Sequence, residues 1–201
     1  MIIPGCRLRG FQDEWRYFGA GAQVMEWITS GYHIRIRADR PITLWCPTRK
    51  DETRIDRADH HLLMKTEVAA MLQKGAIRVV EDNSLGFYSK LFLVPKPTVD
   101  GVKKWRPCIN LKPLNYHVDK ESFNSESVKT MCGEVQPNDW AASIYMTDAY
   151  FHVPVDPHSS RLMRFIFEGV IYEFIVLPFG LTCSPRIFTL TTRFAAGLGR
   201  R

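Results

Sequence analysis

Apolar and polar positions change period several times along the chain, and each change marks an element. Over residues 59–74, Met64, Val68, Met71 and Leu72 recur at helical spacing, with Asp59 as a candidate N-cap and Gly75 as the stop. Residues 76–81 (Ala-Ile-Arg-Val-Val-Glu) then read as a strand, followed by a polar turn at Asp82-Asn83-Ser84. Residues 91–94 (Leu-Phe-Leu-Val) form a second strand halted by Pro95 and Pro97. The loop from 97 to 104, with Asp100-Gly101 inside it, is expected to be a hairpin tip whose return strand covers 105–111. A polar stretch over 116–139 holds a helix start at Asn124-Ser-Glu-Ser127 and a turn at 136–139.

From 142 to 156 a short apolar strand breaks at Thr147-Asp148 and turns Tyr150 and Phe151 to one side. Residues 161–178 predict a hairpin: apolar runs 162–167 and 171–177 flank a Glu168-Gly169 turn. Ser184 as cap and Pro185 at the first helical position open a last helix carrying Ile187, Thr191 and Phe194, ended by Gly197 and Gly199. The first fifty residues are less regular. Trp15, Tyr17, Phe18 and Trp27 stand among glycine-marked turns, residues 24–28 suit a short helix stopped by Ser30-Gly31, and 32–37 alternate apolar and basic residues like a half-exposed strand. Pro41 and Pro47 bracket an extended connector.

Composition narrows the class. At 201 residues with 45% apolar and 24% charged residues, the chain is long enough for one good core and is not of disordered type. Its net charge of +6 favours an acidic partner. That charge is concentrated: residues 90–112 hold Lys90, Lys96, Lys103, Lys104, Arg106 and Lys112 against the single acid Asp100. Such a local excess suits a phosphate backbone. The five cysteines are odd in number and lack paired zinc spacing, so buried free thiols in a reducing compartment are expected. His33, His60 and His61 are read as solvent-facing or capping residues, not metal ligands. No apolar run approaches a bilayer span, and the first residues do not form a signal peptide, so an intracellular, non-secreted protein without membrane contact is expected.

The short motifs carry the function. Trp105-Arg106-Pro107, Asn110-Leu-Lys-Pro-Leu-Asn115, the Thr147-Asp148-Ala-Tyr-Phe151 turn, Leu-Pro-Phe-Gly-Leu at 177–181 and Ser184-Pro185 occur in that order. Together they resemble the reverse transcriptase domain of retroelements, most closely that of DIRS-like (tyrosine-recombinase) retrotransposons, over about residues 62–196. The resemblance implies an α/β (α+β) fold with an antiparallel sheet, the fingers and part of the palm of a right-hand polymerase. It divides the chain into a leader arm at 1–58, a fingers-like region at 59–140 and a partial palm at 141–201.

The family's reaction is templated DNA synthesis, in which carboxylates hold two magnesium ions against an in-line displacement at phosphorus. The resemblance makes Tyr150, with Phe151 beside it, the aromatic gate under the incoming sugar. It makes Arg106 and Lys96 the groups that hold the triphosphate, and Pro178, Phe179 and Gly180 the place where the backbone meets the template. Five residues before the gate, where the family carries a catalytic aspartate, stands Tyr145. A phenol is neutral near pH 7 and a poor magnesium ligand. Asp148 matches a secondary aspartate that lies against the triphosphate; its plainer reading is a turn-capping residue. The family's Tyr-x-Asp-Asp hairpin does not occur before Arg201.

The expectation is therefore a reverse transcriptase fragment that is catalytically inactive and holds no metal of its own. Its partners by resemblance are an RNA or DNA template-primer and a deoxynucleotide. The alternative is a non-catalytic nucleic-acid-binding module kept for its basic fingers surface. A further possibility is a product without function, its half-built sheet leaving an exposed edge.

Overall fold

The computed structural model describes residues 4–81, 84–95, 105–124, 133, 136, 138, 140 and 145–198. In chain order these hold a 3₁₀ turn at Arg7–Phe11, α1 (Gln12–Tyr17), α2 (Ala22–Thr29), α3 (Ala58–Gln73), β1 (Ile77–Val80), β2 (Leu91–Pro95), β3 (Trp105–Ile109) and α4 (Lys112–His117). A second 3₁₀ turn at Ala149–His152 precedes α5 (Pro157–Ser160), β4 (Arg164–Phe167), β5 (Val170–Phe174) and α6 (Ser184–Leu198). The strands form an antiparallel three-stranded sheet, β1-β5-β4, and a separate antiparallel pair, β2-β3. This is the mixed helix and antiparallel-sheet architecture expected.

Helix α3 buries Met64, Val68 and Met71, one stripe at helical spacing, while Leu72 faces outward. Lys74 caps its end and Gly75 (φ 64°) leaves it in the left-handed region. Asp59 is not the N-cap. The helix starts one residue earlier, at Ala58, so Asp59 lies inside the first turn, where it binds the Arg57 guanidinium at 3.2 and 2.9 Å. That pairing lowers the Asp59 pKa. A carboxylate there also meets the positive end of the helix dipole.

The β4–β5 hairpin forms where the apolar runs predicted it. Its turn, Glu168 (φ 50°) and Gly169 (φ 73°), has the positive dihedrals of the two-residue connection that matches strand twist. Every residue of β4 is buried although it is the sheet's outer strand. The reason is a covered edge: Thr53 N donates to Ile166 O (2.9 Å), Ser89 N to Arg164 O (2.8 Å) and Arg164 N to Phe87 O (3.2 Å). Across the sheet face, Glu173 lies in register between Arg78 and Arg164. Its carboxylate accepts from Arg78 Nε at 2.7 Å and from Arg164 Nε at 2.9 Å, and Arg164 also reaches the Ser84 hydroxyl at 2.8 Å. Both Arg164 and Glu173 are buried.

The first 58 residues, expected as a leader arm, share the same core. Trp27, Tyr32 and Ile34 belong to the cluster that holds Met64, Leu114, Phe165 and Ile187. Residues 32–37 keep the predicted alternation, Tyr32 and Ile34 in, His33 and Arg35 out, but they do not form a strand. Their backbone bonds are shared between two partners. Tyr32 pairs with the segment 154–156 and Arg35 and Arg37 with 117–119, so neither ladder extends beyond an isolated bridge. Gly31 (φ 95°) turns the chain into this segment, and a Cβ on it would stand 2.6 Å from the Asp156 backbone nitrogen.

Three further expectations change. Ser184 is the first residue of α6, and its hydroxyl donates to the Pro178 carbonyl (2.9 Å) instead of capping the helix. Gly197 lies inside α6, which continues to Leu198. Cysteine burial is graded: Cys183 is buried, Cys6 and Cys108 are half-buried, and Cys46 is exposed. Burial raises the thiol pKa of Cys6 and Cys108, and that of Cys183 to about 11. The hairpin tip at 97–104, the helix start after Asn124 and the strand over 141–144 lie outside the described residues; Tyr145 and Met146, which are described, are not in a strand. No described helix is long and apolar enough to cross a membrane.

Candidate functional site

The loop at 177–182 is held at both ends and in the middle. Leu177 N donates to Val153 O (3.1 Å), which aligns the loop with the aromatic turn. Asn115, near the end of α4, donates from Nδ2 to Gly180 O (2.7 Å) and accepts from Thr182 N at Oδ1 (2.9 Å). With Ser184 on Pro178 O, three loop residues are fixed by side chains. Gly180 adopts φ 95°, and a Cβ there would meet only Ile109 O at an ordinary 3.6 Å. The backbone dihedral, not close approach within the protein, makes glycine the fitting residue.

Fixing the loop leaves Phe179 nearly half exposed and against the 3₁₀ turn. Its ring centroid is 4.8 Å from that of Tyr150 and 6.0 Å from that of Phe151, and Tyr150 also meets Phe188 of α6 at 5.3 Å. Phe151 is buried and Tyr150 half-buried; loss of water around the Tyr150 phenol raises its pKa. Three of the predicted nucleotide- and template-binding residues thus form one aromatic wall.

The acidic part of the site is different. Asp148 sits in the left-handed region (φ 51°), its backbone carbonyl accepting from Phe151 N at 2.8 Å. Its carboxylate does not cap the turn but forms an ion pair with Lys74 Nζ at 2.9 Å. Tyr145 is 90% exposed. Arg106 lies on β3 opposite Val94, exposed and without an ion pair among the described residues. Lys96 falls outside the described residues. A divalent ion does not fit what is present: the phenol is out in solvent, the one carboxylate is held by an ammonium group, and among the described residues no three His, Cys, Asp or Glu side chains gather.

Two participants escaped sequence reading. Asn115 belongs to a motif singled out in the sequence, yet nothing in that motif points to a loop 65 residues away. Lys74 reads as the last residue of the helix over 59–74, and only the fold brings it to Asp148.

Residues 94–197, just over half of the chain, match the family described as reverse transcriptase (RNA-dependent DNA polymerase). The chain belongs to the reverse transcriptase family. Among its relatives are the retrovirus-related Pol polyprotein from transposon 297 of Drosophila melanogaster and the Gag-Pol polyprotein of Walleye dermal sarcoma virus. The first is 26% identical over 130 residues, 64% of this chain and 12% of the relative. The second is 31% identical over 90 residues, 44% of this chain and 5% of the relative. Solved structures of the foamy viral protease-reverse transcriptase share the fold. The complex with dsDNA has a TM-score of 0.60 at 16% identity, covering 92% of this chain and 41% of that one. The complex with an RNA/DNA hybrid also scores 0.60, at 14% identity, covering 96% and 27%. The chain therefore spans a small part of these Pol polyproteins and less than half of the solved polymerase chains. Reverse transcriptases generally use magnesium, and among the described residues no group of three or more His, Cys, Asp or Glu side chains could hold a metal ion.

Proposed function

We propose that this chain is a reverse transcriptase fragment of DIRS-like type that does not catalyse DNA synthesis by itself. On this reading residues 1–58 are a leader arm, 59–140 the fingers and 141–201 part of the palm, in an intracellular protein. The observation that carries it is the pairing of lesions at one place: a solvent-exposed phenol at 145 and an aspartate at 148 neutralised by Lys74. Primer extension on a homopolymer template with magnesium or manganese tests the proposal. No incorporation above the enzyme-free blank is expected, and measurable incorporation refutes it.

A second reading, retained nucleic-acid binding, is favoured by the folded, aromatic-lined loop and by the fold shared with polymerases solved on dsDNA and on an RNA/DNA hybrid. On this reading Arg106 and Lys96 are the phosphate-binding residues, and Tyr150, Phe179 and Gly180 those for nucleotide and template. Affinity for a primer-template should fall steeply with salt and weaken when Arg106 and Lys96 become Ala. Binding that ignores salt would rule this reading out.

A further inference from the structure

Residues 4–6 bridge the end of α3 and the aromatic turn at 149–152, and each side holds them by a backbone bond. Gly5 N donates to Lys74 O (2.8 Å), just beyond α3, and Cys6 N donates to Phe151 O (3.0 Å) in the turn. The Cys6 thiol adds a third segment, donating to Ile175 O, 3.6 Å away at the exit of β5. Only glycine fits at position 5. A Cβ there would stand 2.1 Å from Gly75 O and 2.5 Å from Lys74 O, backbone atoms that cannot swing aside. On the following 3₁₀ turn the opposite holds: no described atom lies within 4 Å of a Cβ placed on Gly10. The Lys74–Asp148 ion pair, at 2.9 Å, ties the same two segments together a second time.

We propose that residues 4–6 are a releasable strap. Closed, it fixes the aromatic turn against the end of α3; open, it frees that turn, and with it the wall of Tyr150, Phe151 and Phe179, while the core stays folded. Two features make the strap separable. None of residues 4–11 is fully buried, so opening it exposes little apolar surface, which places it at the low end of local stability. Cys6 is also held at φ 54° and ψ 23°, the left-handed region that disfavours any residue with a Cβ, and opening relieves that strain. The link to the wall is direct, because the carbonyl that Cys6 holds belongs to Phe151, whose ring meets Phe179 at 6.0 Å. The strap would act in this way under either functional reading, since it sets how the wall is held and not what meets it.

The test is thiol labelling and amide hydrogen exchange on the full chain, both read by peptide mass spectrometry, with buried Cys183 as the marker of the core. In urea below the unfolding transition, Cys6 should be labelled at least about tenfold faster than Cys183. Exchange at Phe151 and Val153, whose amides donate within the turn, should rise in step with Cys6. Gly5→Ala should speed Cys6 labelling about tenfold without urea, and quicken exchange at the turn, while Cys183 keeps its protection. Gly10→Ala, the same change where there is room for it, should leave Cys6 within about twofold. Unchanged Cys6 labelling in Gly5→Ala overturns the proposal. Labelling of Cys6 and Cys183 only together, in urea or in Gly5→Ala, would show the strap to be part of the core and overturn it too. So would a Gly5→Ala chain in which Cys6 quickens and the turn does not, because the strap would then hold nothing.

Discussion

The β4–β5 hairpin and the turn at residues 145–151 lie in the same half of the chain, yet they are held by opposite means. In the hairpin a buried carboxylate, Glu173, is satisfied by two guanidinium groups, and the strand edge is sealed by segments 52–53 and 87–89. At the turn the polar groups are exposed or paired in half-solvated surroundings, and only the aromatic rings are packed. The difference teaches that this fold is maintained by groups that do no chemistry. Tyr145, 90% exposed, and Asp148, in a partly exposed ion pair, are expected to contribute little to folding.

That contrast can be broken first at its strong end. Glu173→Ala would leave two arginines facing an empty site, one of them buried, and is expected to cost about 3–5 kcal/mol in urea or thermal unfolding. A loss below about 1 kcal/mol would mean that water reaches the network and the hairpin is not the anchor.

High pH probes the core beneath the loop. Burial raises the Cys183 thiol pKa to about 11, so the folded state holds that proton more tightly than the unfolded one. The stabilisation is complete below the ordinary thiol range and is lost as pH climbs through about 11, a decline of roughly 2–3 kcal/mol. Melting curves at pH 8 and 11 should show this part of the decline vanish in Cys183→Ala. At pH 8 the exposed Cys46 should react with a thiol reagent well before Cys183.

Asn115→Ala removes both side-chain bonds to the 177–182 loop and should cost about 1–3 kcal/mol. It should also raise hydrogen exchange at Thr182, whose amide loses its acceptor. Lys74→Ala addresses a partly exposed ion pair and should cost no more than about 1 kcal/mol. Tyr145→Asp, at the weak end, should shift stability by less than about 0.5 kcal/mol, and on this chain alone should bring no primer extension. A large stability change from Tyr145 would show that the turn is part of the structural framework after all.

What could be read from the sequence follows from how far apart the determining contacts lie. The α3 stripe, the Glu168-Gly169 turn and the apolar runs around it are local patterns, and the structure repeats them nearly residue for residue. Residues 32–37 show the correct in-and-out alternation but the wrong element. Period-2 burial says nothing about whether one neighbour or two will accept the backbone bonds. The burial of Arg164 in β4 and Glu173 in β5 has no local signature, because their partners are set by strand register across the sheet. At the site, short ordered motifs marked Tyr145, Asp148, Tyr150 and Phe179. They did not disclose Lys74 beside Asp148 or the Asn115 clamp, both of which depend on contacts 65 or more residues apart.

One consequence concerns how the chain comes to be folded as it is synthesised. Gly5 N bonds to Lys74 O, Cys6 N to Phe151 O and Tyr32 N to Pro154 O, so the leader's partners emerge from the ribosome long after it does. It must wait, its aromatic residues unpacked, until the strands near the other end are made. Closing such long loops is slow, and the waiting state exposes apolar surface. A cell producing this polypeptide would therefore hold it for a time as a client of its chaperones, and a nascent chain arrested before residue 150 should be markedly protease-sensitive through its first forty residues.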